Sequence, residues 1–276
     1  MEKILNKKPI AITVLVLMGL MSINYVSANL SHGIYISTRG IISNSNPTPL
    51  IYADINFETG DFSQVGEFGG IDDYPPISNC EIMTDIVREG NYSMRCIQTD
   101  PSVIPGTSNR AKAVLSELGN LHLNESYYGF SVFLSPTLRA QGWLQIFEEC
   151  QYVSKVANWP HIAQLQICNS TDGKNHLYLV KSEIAPYDAL WMDPNPIPLG
   201  QWIDFVIYIN ISVNGTVMLW QNGVLKAEIH YDTTAMGEPP AAYPEFGLYQ
   251  DCGNPAGNWV VFDRFIAANT FEQANS

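Results

Sequence analysis

Basic side chains are scarce in this chain of 276 residues: 14 Lys and Arg stand against 27 Asp and Glu, giving a net charge of −13. Three of those 14 (Lys3, Lys7, Lys8) lie at the very start, so the rest of the chain is more acidic still. A phosphate backbone is bound by a basic face, so nucleic acid is a poor candidate partner. The same shortage weighs against a strongly anionic substrate. The sequence has no C-x-x-C pair, and His122, His161, His176 and His230 are scattered without ligand spacing, which speaks against zinc and other transition metals. Sustained helical periodicity is missing, and so are internal repeats. Beyond Val26 no apolar run is long enough to cross a bilayer.

What is present begins with an export pattern. Pro9–Val26 is almost wholly apolar, follows the three lysines, and leads into the small residues Ser27 and Ala28. Residues 1–28 read as a secretory signal, with a retained membrane anchor as the alternative. Residues 29–49 are polar, rich in Ser, Asn and Thr, and read as a linker. The folded domain is expected over 50–276, as a secreted or extracellular monomer, tethered if the anchor is kept. Export makes disulfides plausible. Local spacing suggests Cys80 with Cys96 and Cys150 with Cys168, leaving Cys252 unpaired. Sequons start at Asn91, Asn124, Asn169, Asn210 and Asn214, so the chain is a candidate glycoprotein.

The ordered-looking segments read as strands: Ile51–Phe57, Ser93–Thr99, Tyr127–Leu134, Ile162–Cys168, His176–Val180, Trp202–Ile211, Thr216–Trp220 and Trp259–Ala267. They are rich in β-branched and aromatic residues and bounded by Gly, Pro, Asn or Asp. So many short strands predict an all-β jelly-roll sandwich of two antiparallel sheets.

Five motifs then fall in order along the chain. Ile55–Phe62 (INFETGDF) resembles the F-E-x-G-D opening strand of concanavalin-like polysaccharide lyases. Pro198–Asp204 (PLGQWID) resembles their L-G-x-W-x-D strand, and Val217–Gly223 (VMLWQNG) their V-x-x-W-x-N-G strand. Tyr243–Tyr249 (YPEFGLY) is similar to the Y-x-K-x-G-x-Y strand of alginate, glucuronan and heparin lyases. Val261–Phe265 looks like the closing strand. The resemblance covers about residues 50–268 and implies a concanavalin-like jelly roll.

It also implies β-elimination at a uronic acid. A neutraliser holds the carboxylate, a base takes the adjacent C5 proton, and an acid protonates the leaving oxygen. On this resemblance Tyr249 is the catalytic acid or base and Gln145 assists it. The family's R-S-E-L arginine is Leu115 here, its Q-I-H histidine is Phe147, and the lysine of the tyrosine strand is Glu245. Leucine cannot pair a carboxylate and phenylalanine cannot take a proton. Arg110, Lys112, Arg139 and His161 are the available substitutes. Glu117 and Tyr243 complete the expected substrate contacts.

A non-catalytic glycan-binding module on the same scaffold is the rival reading. Trp159 and Trp191, read as loop residues, would then serve as sugar platforms, while Trp202 and Trp220 read as core. A glycoside hydrolase is the third reading: it needs two carboxylates, drawn from Glu148 or Glu149 with Glu117 on a neighbouring strand. Glu58, Asp61 and Asp263, with a carbonyl near Gly60, are candidate ligands of a structural calcium ion.

Overall fold

The computed structural model describes residues 48–276, apart from 74, 76, 100–108, 152–160, 183–187, 235–241 and 251–253. The expected signal, nearly all of the linker, Cys252 and Trp159 lie outside the described residues. In chain order the strands are β1 (Ile51–Ile55), β2 (Gly70–Asp72), β3 (Ser78–Met83), β4 (Ser93–Gln98), β5 (Asn109–Val114), β6 (Glu125–Leu134), β7 (Trp143–Gln151), β8 (His161–Asn169), β9 (Asn175–Ser182), β10 (Asp188–Pro196), β11 (Trp202–Asn210), β12 (Gly215–Gln221), β13 (Val224–Tyr231), β14 (Ala242–Gln250) and β15 (Trp259–Ala268). Two single-turn helices, α1 (Ser63–Gly66) and α2 (Phe271–Ala274), and a 3-10 helix at Ser116–Leu121 complete the elements.

The strands form two antiparallel sheets. One runs β13-β12-β11-β6-β15-β4-β3; β15 pairs with β4 through its first half and with β1 through its second. The other runs β10-β9-β8-β7-β14-β5-β2. The expected all-β, concanavalin-like jelly-roll sandwich is the architecture found. The Asn-Gly turn between β12 and β13 uses positive φ at both Asn222 (51°) and Gly223 (74°), the tight-hairpin conformation that this dipeptide favours.

Alternation along the strands puts one apolar face of each sheet against the other. Phe246 stacks on Phe265 across the two sheets at 4.4 Å between ring centres, and Phe130 stacks on Phe147 at 5.6 Å. Phe147, Phe205, Phe246, Phe262 and Phe265 are all buried. Trp191 lies within β10, half-buried against this core, and not in a loop as the sequence suggested. Trp202 and Trp220 are only part-buried; Trp202 packs edge-on to Phe133 and Trp220 on Phe271. Among the described residues no helix is long and apolar enough to cross a membrane.

Cys80 and Cys96 are direct cross-strand partners on β3 and β4, with their sulfurs 3.1 Å apart as free thiols. The expected Cys150–Cys168 pair is excluded. In the β7–β8 ladder Cys150 faces His161 while Cys168 faces Trp143, at opposite ends. Seven residues of strand separate Cys150 from Trp143, roughly 20 Å or more, whereas a disulfide needs Cα atoms within about 7 Å. Nearness in sequence across a hairpin is not nearness in register.

Candidate active site

The outer face of the seven-stranded sheet carries the chemistry. Ala111 and Ala113 of β5, and Phe246 and Leu248 of β14, point into the core. Their neighbours Arg110, Lys112, Glu245 and Tyr249 therefore emerge on the opposite face. On β7 the alternation breaks. Leu144, Ile146 and Phe147 are all core residues, and the pairing with β8 slips between Gln145 and Phe147. This β-bulge turns Phe147 inward and brings Glu148 out beside Gln145's face. β8 adds His161, Gln164 and Gln166.

Two groups of side chains result. In the first, Tyr249 lies directly across from Gln145 on β7 and from Arg110 on β5. Trp143 meets the Tyr249 ring edge-on at 5.0 Å, and the Lys112 ammonium lies 4.8 Å from the ring centre. Tyr249 is the one residue of β14 that is more than marginally exposed. Arg110 Nε approaches Asp72 Oδ2 at 2.8 Å on the part-exposed rim. Gln145 Oε1 is buried and has no hydrogen-bond partner among the described residues.

The second group is an ionic network. Lys112 Nζ donates to Glu148 Oε1 at 2.7 Å and to Glu245 Oε2. Nδ1 of His161 lies 2.7 Å from Glu148 Oε2 and 3.3 Å from Cys150 Sγ. Gln166 donates to Gln164 Oε1 at 2.7 Å, continuing the polar chain across β8. The side chains of Lys112, Glu148 and Glu245 are only 7%, 1% and 8% exposed. Burial works against charge on Lys112, but Glu148 and Glu245 outweigh it and hold the ammonium well above the ordinary lysine range. Burial likewise opposes ionisation of Glu148, yet Lys112 and His161 hold it well below the usual carboxylate range. Glu245 is pushed up to about 8 by burial and by the Glu148 charge. At neutral pH the pair therefore holds one carboxylate and one carboxylic acid.

Glu149, adjacent to Glu148, faces the other way. It is buried between the sheets, receives the Tyr128 hydroxyl at 3.1 Å, and burial pushes its carboxyl up to about 8.

Most of the expected site residues converge on this face: Tyr249, Gln145, Arg110 and Lys112 in the first group, His161 in the second. Tyr243, almost buried, sits opposite Cys150 beside the second group. Glu117 does not join them. It lies on the 3-10 helix and not on a strand, its amide is tied to Phe68 O, and its carboxylate accepts from Asn120. Leu115, just before that helix, is a core residue, so the position equated with the family arginine has left the polar face. Arg139 instead lines a cavity of about 440 Å³ with Leu138, Lys174 and Leu199.

Glu148 and Glu245 were missed as partners. The run Gln-Ile-Phe-Glu-Glu carries the one usable signal: two consecutive apolar residues followed by two acids cannot alternate with period two, which marks a bulge.

The three carboxylates named as candidate calcium ligands each accept backbone amides. Glu58 accepts the amides of Asn91 and Tyr92, Asp263 accepts those of Arg88 and Glu89, and Asp61 accepts the Ser63 amide. These carboxylates pin the 88–92 loop and the turn into α1.

Gly247 brings β14 and β5 close together. It has φ of +151°, and a Cβ there would lie 2.4 Å from Lys112 Cα and 2.5 Å from Ala111 O. Gly247→Ala should therefore destabilise the protein by about 1–3 kcal/mol and displace Lys112 from Tyr249. Denaturant unfolding checks the first effect and turnover the second.

A jelly-roll sandwich that lines up tyrosine, glutamine and cations on the outer face of one sheet has the features of a carbohydrate-active protein. The chain belongs to the polysaccharide lyase family: the model of that family, described as "Polysaccharide lyase", matches residues 57–265. Among solved structures it is similar to an endo-β-1,4-glucuronan lyase from the fungus Trichoderma reesei, with a TM-score of 0.59, 15% identity, and 75% of this chain and 93% of that one covered. It is also similar to an alginate lyase from Aplysia kurodai, with a TM-score of 0.53, 10% identity, and 79% and 98% covered. A carbohydrate esterase from the Shiga toxin-encoding bacteriophage phi24B matches with a TM-score of 0.53, 11% identity, and 80% and 99% covered. At such identities these likenesses establish the fold, and the esterase is a reminder that one scaffold carries more than one reaction. A search of curated proteins found no match.

Proposed function

We propose that the protein is exported and cleaves a uronate-containing polysaccharide by β-elimination, with Tyr249 as both base and acid. The observation that carries this reading is the row Arg110–Tyr249–Gln145 across β5, β14 and β7. The Tyr249 phenolate oxygen takes the C5 proton, the C–H electron pair forms the C4–C5 double bond as the C4–O bond breaks, and the phenol so formed gives the proton to the departing glycosidic oxygen. Gln145 and Arg110 hold the uronate carboxylate, which disperses the charge that develops at C5. The orphaned, buried Gln145 Oε1 gains a donor when a sugar hydroxyl arrives. Lys112, against the ring face, supplies positive charge nearby. The chain's acidity favours unsulfated uronates such as glucuronan or alginate over heparin. Incubation with each polymer, followed by absorbance of the unsaturated product, tests the reading; no rise with any of them sinks it.

One observation favours a glycan-binding module instead. Both cations near Tyr249 are paired with carboxylates, Lys112 with Glu148 and Glu245 and Arg110 with Asp72. Retardation on an affinity gel without product would select that reading. The hydrolase reading fits poorly. Its expected partner Glu117 lies elsewhere, and Glu148 and Glu245 are drawn together on one ammonium, that of Lys112. Acid pairs that flank a glycosidic bond need about 5–9.5 Å between them.

Export also bears on Cys80 and Cys96, which we propose are joined once the chain is secreted. The bond would stabilise the fold by about 3 kcal/mol through loop closure. Thiol titration of secreted against cytoplasmically expressed protein should show two fewer free thiols in the former; equal counts overturn the idea.

A further inference from the structure

Three potential metal-binding side chains of different chemistry meet at the end of the sheet face away from Tyr249. Cys150 and His161 are direct partners across β7 and β8, and Glu148 lies two residues before Cys150. One ligand atom from each falls within 4.8 Å of the other two, and among the described residues no other such group of three or more forms. Glu148 and Cys150 are buried, while the His161 side chain keeps 19% exposure, enough to admit an ion from the face.

The separations are close to those a metal imposes. Tetrahedral zinc with ligands at about 2.0–2.3 Å sets sulfur–nitrogen and nitrogen–oxygen edges of roughly 3.3–3.6 Å. The corresponding distances here are 3.3 Å for Cys150 Sγ to His161 Nδ1 and 2.7 Å for His161 Nδ1 to Glu148 Oε2. An ion needs them to open by less than an ångström. Lys112 holds the other oxygen of Glu148, fixing the carboxylate's orientation as outer partners of metal ligands do.

We propose that Glu148, Cys150 and His161 form a binding site for a divalent d-block cation, zinc by preference, with one coordination position left open. The mixed oxygen, sulfur and nitrogen set suits zinc and excludes magnesium and calcium, which take oxygen. On binding, the Cys150 thiol loses its proton to solvent and binds as thiolate. His161 binds through Nδ1, the nitrogen nearest the other two ligand atoms, and keeps a proton on Nε2. Thiolate and carboxylate together balance the charge of the ion. The sequence hid this site because its spacing is set by the β7–β8 register and not by a short motif. It does not depend on the β-elimination reading.

The test uses untagged protein stripped of metal by a chelator and titrated with Co²⁺. One equivalent should give a thiolate-to-cobalt charge-transfer band in the near ultraviolet, and Zn²⁺ should erase it. Cys150→Ser and His161→Gln should each lose the band and weaken Zn²⁺ binding by about a hundredfold or more. Cys168→Ser should keep both. Circular dichroism confirms that each variant is folded. Should a variant fail to fold, X-ray absorption of the wild type still decides, since the proposal requires one sulfur bound directly to the metal. Absence of the band and of Zn²⁺ binding in the wild type overturns it. So does a band that survives in Cys150→Ser.

Discussion

Tyr249→Phe should lower turnover of a susceptible uronate polysaccharide by about 10²–10⁴-fold, the usual range for a lost general acid or base. That is roughly 3–5 kcal/mol of transition-state stabilisation. The substitution is well isolated. The ring that meets Trp143 and lies beside Lys112 is retained, and only the hydroxyl is removed. Substrate binding should change little, so the loss should fall on kcat while KM stays within a few-fold. Gln145→Leu should behave differently, because it removes a carboxylate contact and should raise KM as well as lower kcat. If Tyr249→Phe retains activity within tenfold of wild type, the proton carrier lies elsewhere on the face.

Lys112→Met should be the most destabilising single change on that face, at about 3–5 kcal/mol, because it strands buried acidic groups. The lysine is the cation shared by Glu148 and Glu245, and all three side chains are less than a tenth exposed. For a domain of this size the expected fall in Tm is roughly 6–20 °C. The triple variant Lys112→Met, Glu148→Gln, Glu245→Gln should recover much of the loss, since it removes the stranded acids with the cation. Thermal unfolding of both variants gives the answer. A single variant that melts with the wild type would mean that solvent reaches the network. A triple variant no better than the single one would mean that the network's role is packing and not charge compensation.

The motifs that mark the sandwich also mark its strands, and the tyrosine strand carries Tyr249 to the face where Gln145 and Arg110 wait. That much was legible because it depends on strand order and period-two alternation. What was not legible depends on departures from that alternation. The β7 bulge exchanges Phe147 for Glu148 on the polar face, so a position-by-position reading finds a lost histidine and misses the acid that emerges in its place. The turn after β5 becomes a 3-10 helix, which buries Leu115 and carries Glu117 away. The Glu148–Cys150–His161 cluster requires the register between two strands, which no residue spacing encodes.

The placement of the last two strands has a consequence for how the chain is made. β14 lies inside one sheet, between β7 and β5, and β15 lies inside the other, between β6 and β4. Neither sheet can close until β14 and β15 have left the ribosome, well after the strands they join. Until then the strands on either side of each gap wait with open edges. Each sheet stays in two pieces for as long as its inserted strand is missing.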